Sequence, residues 1–243
     1  MNEIFNFKKE VEENIAAQGN NVVLKKAGAA FMEASVRSRY SYNFSWLGRP
    51  IIQYPQDILA IQEIIYSVQP DLIIETGIAH GGSLIFHASI CELIGKGEVL
   101  GVDIDIREHN KTEILNHRMI KRISMIQGSS VAPDVINSVR EKVNGKRSIM
   151  VILDSNHTHE HVAAELKAYA PFVTKDSYLI VLDTIIEDLP GDSYQDRPWG
   201  IGNNPKTAVL EFLSQNKNFT TDFNMDNKLL ISVAPNGYLK RIS

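Results

Sequence analysis

Apolar positions near the start of the chain recur at helical spacing. Ile4, Phe7, Val11 and Ile15 share one face of a helix over 3–18, and Val23, Ala27, Ala30, Phe31 and Ala34 mark a second. Gly19-Asn20-Asn21 between them is a stop signal. The period is then lost. Over 39–55, Tyr40, Tyr42, Phe44, Trp46 and Tyr54 are mixed with Gly48, Pro50 and Pro55, a pattern that predicts an irregular, aromatic-rich loop.

From Pro55 onward short apolar runs alternate with amphipathic stretches. Strands are expected at 72–75, 98–103, 123–127, 148–154 and 178–183, with helices at 56–67, 83–93, 132–143, 160–170 and 206–213. Continuous apolar strands separated by helices predict a doubly wound α/β fold, a parallel sheet covered on both faces. The last two runs, 219–223 and 229–234, are separated by only 224–228. That gap is too short for a parallel crossover and predicts a C-terminal antiparallel hairpin. A mostly parallel Rossmann-like sheet ending in such a hairpin is the methyltransferase layout. The division expected is N-terminal helices and an aromatic loop over 1–54, then a methyltransferase domain over 55–243, in one compact unit.

Composition narrows the partners. A chain of 243 residues with 44% hydrophobic and 22% charged residues can bury a core without disulfide or zinc. The single cysteine, Cys91, lies in an apolar stretch and reads as a small buried hydrophobe. The net charge of −4 argues against a nucleic-acid partner. No apolar run approaches the roughly 20 residues of a membrane span, and 1–13 lacks a signal-peptide core. A cytoplasmic enzyme acting on a small-molecule or saccharide substrate is expected, with a homo-oligomer as a possible state.

The first strand runs into Glu75-Thr76-Gly77-Ile78-Ala79-His80-Gly81-Gly82-Ser83. Glycines after a strand allow close backbone approach, and ligands of open α/β sheets sit beyond the carboxyl ends of strands. The next strand ends in Asp103, whose carboxylate suits a ribose diol. A dinucleotide fingerprint requires G-x-G-x-x-G, which Gly77 and Gly81, four apart, do not supply. A carboxylate at Glu75 would repel a pyrophosphate but attract a sulfonium or ammonium. Together these residues favour S-adenosylmethionine over NAD. A Gly-rich turn of some other nucleotide-binding fold is the plainer account. His80 contacts cofactor or substrate, or only fixes the loop. The corner Gly128-Ser129 is placed to face an adenine, although a simple turn explains it equally.

The catalytic candidates end the fourth and fifth strands. Asp154 and Asp183 should converge on the carboxyl rim, where two carboxylates can hold Mg²⁺ and a bound hydroxyl loses its proton more easily. Asp154 and His157 are the candidate bases. His157, His159 and His161 raise the thought of a transition-metal oxygenase. Yet only His157 and His161 have i, i+4 spacing, and His159 and His161 read as polar residues on a solvated helix start. The segment 187–204, with Pro190, Gly191, Pro198, Trp199, Gly200 and Gly202, reads as a lid or substrate loop, or as a surface loop. Tyr40, Tyr42, Trp46 and Trp199 can stack on sugar faces or belong to the core.

These residues resemble the cephalosporin hydroxylase family and its rhamnosyl O-methyltransferase relatives. The matching blocks are Trp46-Leu47-Gly48-Arg49-Pro50, Glu75-Thr76-Gly77 with His80-Gly81-Gly82-Ser83, Gly101-Val102-Asp103-Ile104, Leu153-Asp154-Ser155-Asn156-His157-Thr158, Asp183-Thr184, Asn204-Pro205-Lys206 and Gly237-Tyr238-Leu239-Lys240-Arg241. The resemblance implies S-adenosylmethionine binding, a Mg²⁺ site and methyl transfer to a hydroxyl, with similar members often found beside cell-surface polysaccharide genes. It does not imply an oxygenase, despite the label. In some relatives the metal is held by the equivalent of Asp154 and a Glu-Asp pair, which here reads Leu182-Asp183. With one carboxylate missing, the metal binds more weakly, recruits Glu187 or Asp188, or is absent.

Overall fold

The computed structural model describes residues 3–243. Two helices, α1 (Glu3–Asn20) and α2 (Val22–Arg37), open the chain. Asn21 separates them and caps α2 by accepting from the Leu24 amide at 3.0 Å. The expected apolar face of α1 is covered only in part: Val11 and Ile15 are half-buried, while Ile4 and Phe7 are exposed. The 39–55 segment also departs from the irregular loop expected of it. After a 3₁₀ turn at Tyr40–Asn43, β1 (Phe44–Trp46) and β2 (Arg49–Ile51) pair antiparallel across Leu47-Gly48. Alternation across three-residue strands is too brief to stand out from aromatic noise.

The remainder is a seven-stranded sheet. In chain order come α3 (Pro55–Val68), β3 (Leu72–Thr76), α4 (Gly82–Ile94), β4 (Glu98–Asp103), α5 (Glu108–Leu115), β5 (Ile123–Gln127), α6 (Pro133–Val143), β6 (Ile149–Leu153), α7 (His159–Tyr169), β7 (Tyr178–Val181), α8 (Pro205–Gln215), β8 (Phe219–Thr221), α9 (Phe223–Leu229) and β9 (Tyr238–Arg241). The strand order is β5-β4-β3-β6-β7-β9-β8, parallel except where β9 pairs antiparallel with both β7 and β8. The antiparallel end is as expected, but its inner strand is not 229–234. That stretch follows a helix, and the paired strand is Tyr238–Arg241. A short apolar run near the chain end does not say whether it pairs or packs. The polar α5 also escaped the apolar pattern; only Asn110 and Ile114 are buried on it.

Period-two alternation in β3 sends Leu72 and Ile74 to one face, with Val151, Leu166, Leu179 and Val209, and Ile73 to the other, with Ile61, Phe86, Ile152 and Ile180. Both faces are therefore dry, which is why the strands read as unbroken apolar runs. Cys91 lies in the second cluster, and burial pushes its thiol up to about 11, as a small hydrophobe requires. Met32 and Tyr54 join Ile185 and Leu189 in a further cluster. β3 lies between β4 and β6, so the crossovers depart in opposite directions there and open a crevice at the carboxyl ends of β3 and β6.

Candidate active site

Every sequence-predicted site residue lies at or just beyond the carboxyl end of a sheet strand, or at the start of the helix that follows. Thr76, Gly77 and Asp154 are stitched by backbone: Asp154 N–H donates to Thr76 O at 2.9 Å, and Gly77 N–H donates to Val102 O at 2.8 Å. Gly77 has φ +91°, and a Cβ there would collide with the Asp154 carbonyl. Its glycine lets the first loop touch the end of β6. Gly82, at the start of α4, likewise leaves room for the Pro50 carbonyl of β2. These two glycines bring protein to protein, in addition to whatever ligand they serve.

Asp103 supports the loop directly. Its Oδ2 accepts from the Ile78 amide at 2.7 Å and the Ala79 amide at 3.4 Å, and Oδ1 accepts from Asp105 N–H at 2.9 Å. The His80 carbonyl accepts from both Nε and Nη2 of Arg49, and Arg49 Nη2 also donates to Asn110 Oδ1. Gly81 adopts φ +80°, and Ser83 lies in the first turn of α4. Gly128 and Ser129 follow β5, and Gly128 N–H donates to Asp103 O at 2.8 Å.

Glu75 is wholly buried with neither oxygen hydrogen-bonded. His87 of α4, also wholly buried, approaches its Oε2 to 3.7 Å, and neither ring nitrogen has a partner. A buried carboxylate in this condition is costly unless a ligand or water completes it. Thr76 Oγ1 and both polar atoms of Gln53 are orphaned in the same way. His87 and Gln53 were not legible in the sequence, because nothing local links a helix or a loop residue to the end of β3.

The catalytic candidates converge. Asp154 follows β6, Asp183 follows β7 in a left-handed conformation at φ +56°, and His157 lies on the loop before α7. One ligand atom from each lies within 4.8 Å of the others, and His157 Nε2 is 3.3 Å from Asp183 Oδ2. Burial, then the negative charges of Asp183, Glu75 and Glu165, hold the Asp154 carboxyl well above the ordinary aspartate range. Two hard oxygen donors and an imidazole face one another here, and among the described residues no lysine or arginine side chain is hydrogen-bonded to them; such a set fits a divalent cation. Leu182 is buried and packs in the second core cluster. Glu187 and Asp188 are engaged elsewhere: Glu187 accepts from Gly202 N–H and Asn204 Nδ2, and Asp188 binds Lys206 Nζ at 2.6 Å.

His159 and His161 are half-buried and partnered, where freely solvated side chains were expected. His159 Nδ1 meets Thr207 Oγ1 at 2.8 Å and Nε2 meets Glu211 at 2.9 Å, clasping α7 to α8. His161 Nε2 lies 3.1 Å from both Ser130 and Ser155 hydroxyls, beside the buried Glu165. The aromatics sort as well. Tyr40 packs on Phe31, Phe44 and Tyr54, and Trp46 on Phe86 with its Nε1 donating to Ser89. Both are structural. Trp199, from the long segment, stacks edge-on to His157 at 4.8 Å with its buried Nε1 unpartnered.

Residues 38–242 match the family described as Rhamnosyl O-methyltransferase/CmcI. This chain belongs to that family. It is accordingly an S-adenosylmethionine-dependent O-methyltransferase. Among curated relatives, the rhamnosyl O-methyltransferase of Mycobacterium bovis is 32% identical over 195 residues, covering 76% of this chain and 73% of the relative. That of Mycobacterium leprae is 31% identical over 205 residues, covering 81% and 82%. Of solved structures, one described as cmcI-D160 Mg-SAM superposes with a TM-score of 0.59 at 18% identity, covering 83% of this chain and 78% of that one. A putative caffeoyl-CoA O-methyltransferase from Staphylococcus aureus gives 0.52 at 16% identity, over 72% and 79%. Both share the Rossmann-like fold. Among the described residues, no helix is long and apolar enough to cross a membrane.

Proposed function

We propose that the chain methylates a hydroxyl of a sugar, as part of cell-surface polysaccharide or nucleotide-sugar metabolism, with a divalent cation, Mg²⁺ in the first instance, held by Asp154 and Asp183. The observation that carries this reading is the convergence of Asp154, His157 and Asp183 at the carboxyl ends of β6 and β7, beside the Gly77 loop. The names of the relatives favour a sugar acceptor.

The cofactor residues in this reading are Glu75, Gly77, His80, Gly81, Gly82, Ser83, Asp103, Gly128, Ser129 and Asp154. Glu75, buried and lacking a hydrogen bond, suits the cationic end of S-adenosylmethionine, and Asp103 suits its ribose. When bound, the cofactor supplies an electrophilic methyl on a sulfonium, and the cation supplies acidity to the acceptor hydroxyl. The C–O bond forms as the S–C bond breaks, the electron pair staying on sulfur. The chain must take one proton from the hydroxyl, and Asp154 and His157 are the groups in reach. Trp199 beside His157 offers an apolar face and an unpaired N–H to a sugar. Residues 187–204 hang over the acceptor side and close on it. The protein works in the cytoplasm, alone or as a homo-oligomer, without nucleic acid.

Titration calorimetry with S-adenosylmethionine, S-adenosylhomocysteine and NAD, followed by mass spectrometry of methyl transfer to nucleotide-sugars and lipopolysaccharide fragments, tests this. NAD binding without an S-adenosylmethionine signal overturns the cofactor assignment. Transfer only to small antibiotic-like metabolites overturns the sugar.

A further inference from the structure

We infer that His157 is the third protein ligand of the cation, taking the place of the carboxylate that Leu182 lacks, and that the site is therefore a one-histidine, two-aspartate centre that favours Mn²⁺ or another first-row transition ion over Mg²⁺. This rests on the cation site proposed above.

Three observations lead to it. First, the acidic residues nearest in sequence do not fill the gap. Leu182 points into the core, Glu187 is committed to Gly202 and Asn204, and Asp188 is paired with Lys206. Second, the imidazole already stands in the cluster. Its ligand atom and those of Asp154 and Asp183 lie within 4.8 Å of one another. Neighbouring ligand atoms of an octahedral ion, each about 2.1 Å from the metal, lie about 3 Å apart, so side-chain movements of an ångström or so bring the three together. Third, the ring is held edge-on by Trp199 at 4.8 Å, and its Nε2 already faces the Asp183 carboxylate at 3.3 Å, the side on which a cation would lie. An imidazole nitrogen is a ligand of borderline softness. It binds Mn²⁺, Fe²⁺ or Co²⁺ better than it binds Mg²⁺, which prefers oxygen and retained water. A nitrogen bound to the cation cannot also take the acceptor's proton.

The test is metal binding by the folded chain, read without turnover. Mn²⁺ is titrated into wild type, His157→Ala and Asp154→Ala by calorimetry, and the bound ion is examined by pulsed electron paramagnetic resonance for ¹⁴N coupling. Circular dichroism and thermal unfolding confirm that the variants are folded. The expected result is Mn²⁺ binding at least about tenfold tighter than Mg²⁺ in wild type, with ¹⁴N coupling that disappears in His157→Ala while affinity falls about 10- to 100-fold. Mn²⁺ bound with unchanged affinity in His157→Ala and no ¹⁴N coupling in wild type overturns the inference but leaves the Asp154–Asp183 site standing, with His157 as the proton acceptor. Wild type that binds no Mn²⁺ or Mg²⁺, or binds them equally well after Asp154→Ala, overturns both.

Discussion

The two halves of the active-site rim are built by different means. On the β3–β4 side the backbone of the glycine loop is held by hydrogen bonds from strand and side chain. Gly77 N–H reaches Val102 O, Asp103 takes the Ile78 and Ala79 amides, and Asn110 Nδ2 donates to Ala79 O at 3.0 Å. On the β6–β7 side the rim is made of side chains. Asp154 and Asp183 face one another near His157, and the segment beyond them is drawn in by Glu187, whose carboxylate holds Gly202 and Asn204. The first half is tied together by these hydrogen bonds, with Glu75 left buried and unpaired within it. In the second, burial first and then the neighbouring carboxylates of Asp183, Glu75 and Glu165 hold the Asp154 carboxyl above its ordinary range. Both halves therefore hold groups that a ligand would satisfy: Glu75 on the first side, and the Asp154–His157–Asp183 cluster on the second.

The largest test of that contrast is loss of the acceptor-side carboxylates. Asp154→Ala and Asp183→Ala should each lower turnover by about 10³-fold or more, since a cation stabilises developing charge by several kcal/mol. A chelator should do the same to wild type, while calorimetry still registers S-adenosylmethionine. Unimpaired turnover of Asp154→Ala in chelator would remove the metal from the acceptor half.

On the cofactor side, Asp103→Ala should weaken S-adenosylmethionine about 10- to 100-fold, as expected for lost charge-assisted hydrogen bonds. Turnover at saturating cofactor should stay within a few-fold of wild type. A normal affinity would leave Asp103 with only its loop-holding role. Glu187→Ala should act on the other half, lowering kcat/KM about tenfold and speeding amide exchange over 187–204, with cofactor affinity unchanged. Strong protection of that segment in every state would make it scaffold.

The smallest effect concerns the seam between the halves. Asp57 of α3 is buried, accepts from Ser232 Oγ, Tyr238 OH and the Val233 amide, and so holds the strap whose Val233 carbonyl accepts from Ile185 N–H. Burial pushes its carboxyl up to about 6, against the partial relief of those bonds. An unfolded aspartate titrates near roughly 3.9, so the proton favours the folded chain. That contribution is complete below about pH 4 and is lost as pH rises through about 6. Urea unfolding should show wild type losing about 2 kcal/mol more than Asp57→Asn between pH 4 and pH 7.5. Equal losses would mean that Asp57 does not titrate in this range.

Much of the frame was legible because parallel strands buried on both faces must be apolar throughout. β4 and β5 begin and end where the apolar runs do. The misreadings share a cause. The 229–234 run is apolar because Leu229, Val233 and Ala234 pack in the core cluster of α3 and the sheet, and packing alone does not imply a strand. The aromatic segment looked irregular because its strands are only three residues long. The histidines after Asp154 looked solvated because their partners, Thr207, Glu211 and Ser130, lie 31 to 52 residues away in sequence.

By itself the sequence determined the α/β class, the carboxyl-end placement of Glu75, Asp103, Asp154 and Asp183, and the family. The first two follow from local period, turn chemistry and strand ends, and the family from the resemblance of short motif blocks; all are properties of neighbouring residues. Only the tertiary structure decided that Gly77 serves contact with Asp154, that Glu75 is buried against His87, that Glu187 and Asp188 are spoken for, and that His157 turns toward Asp183. Those are contacts between elements far apart in the chain. Their geometry is set by sheet order and side-chain direction, which no local pattern encodes.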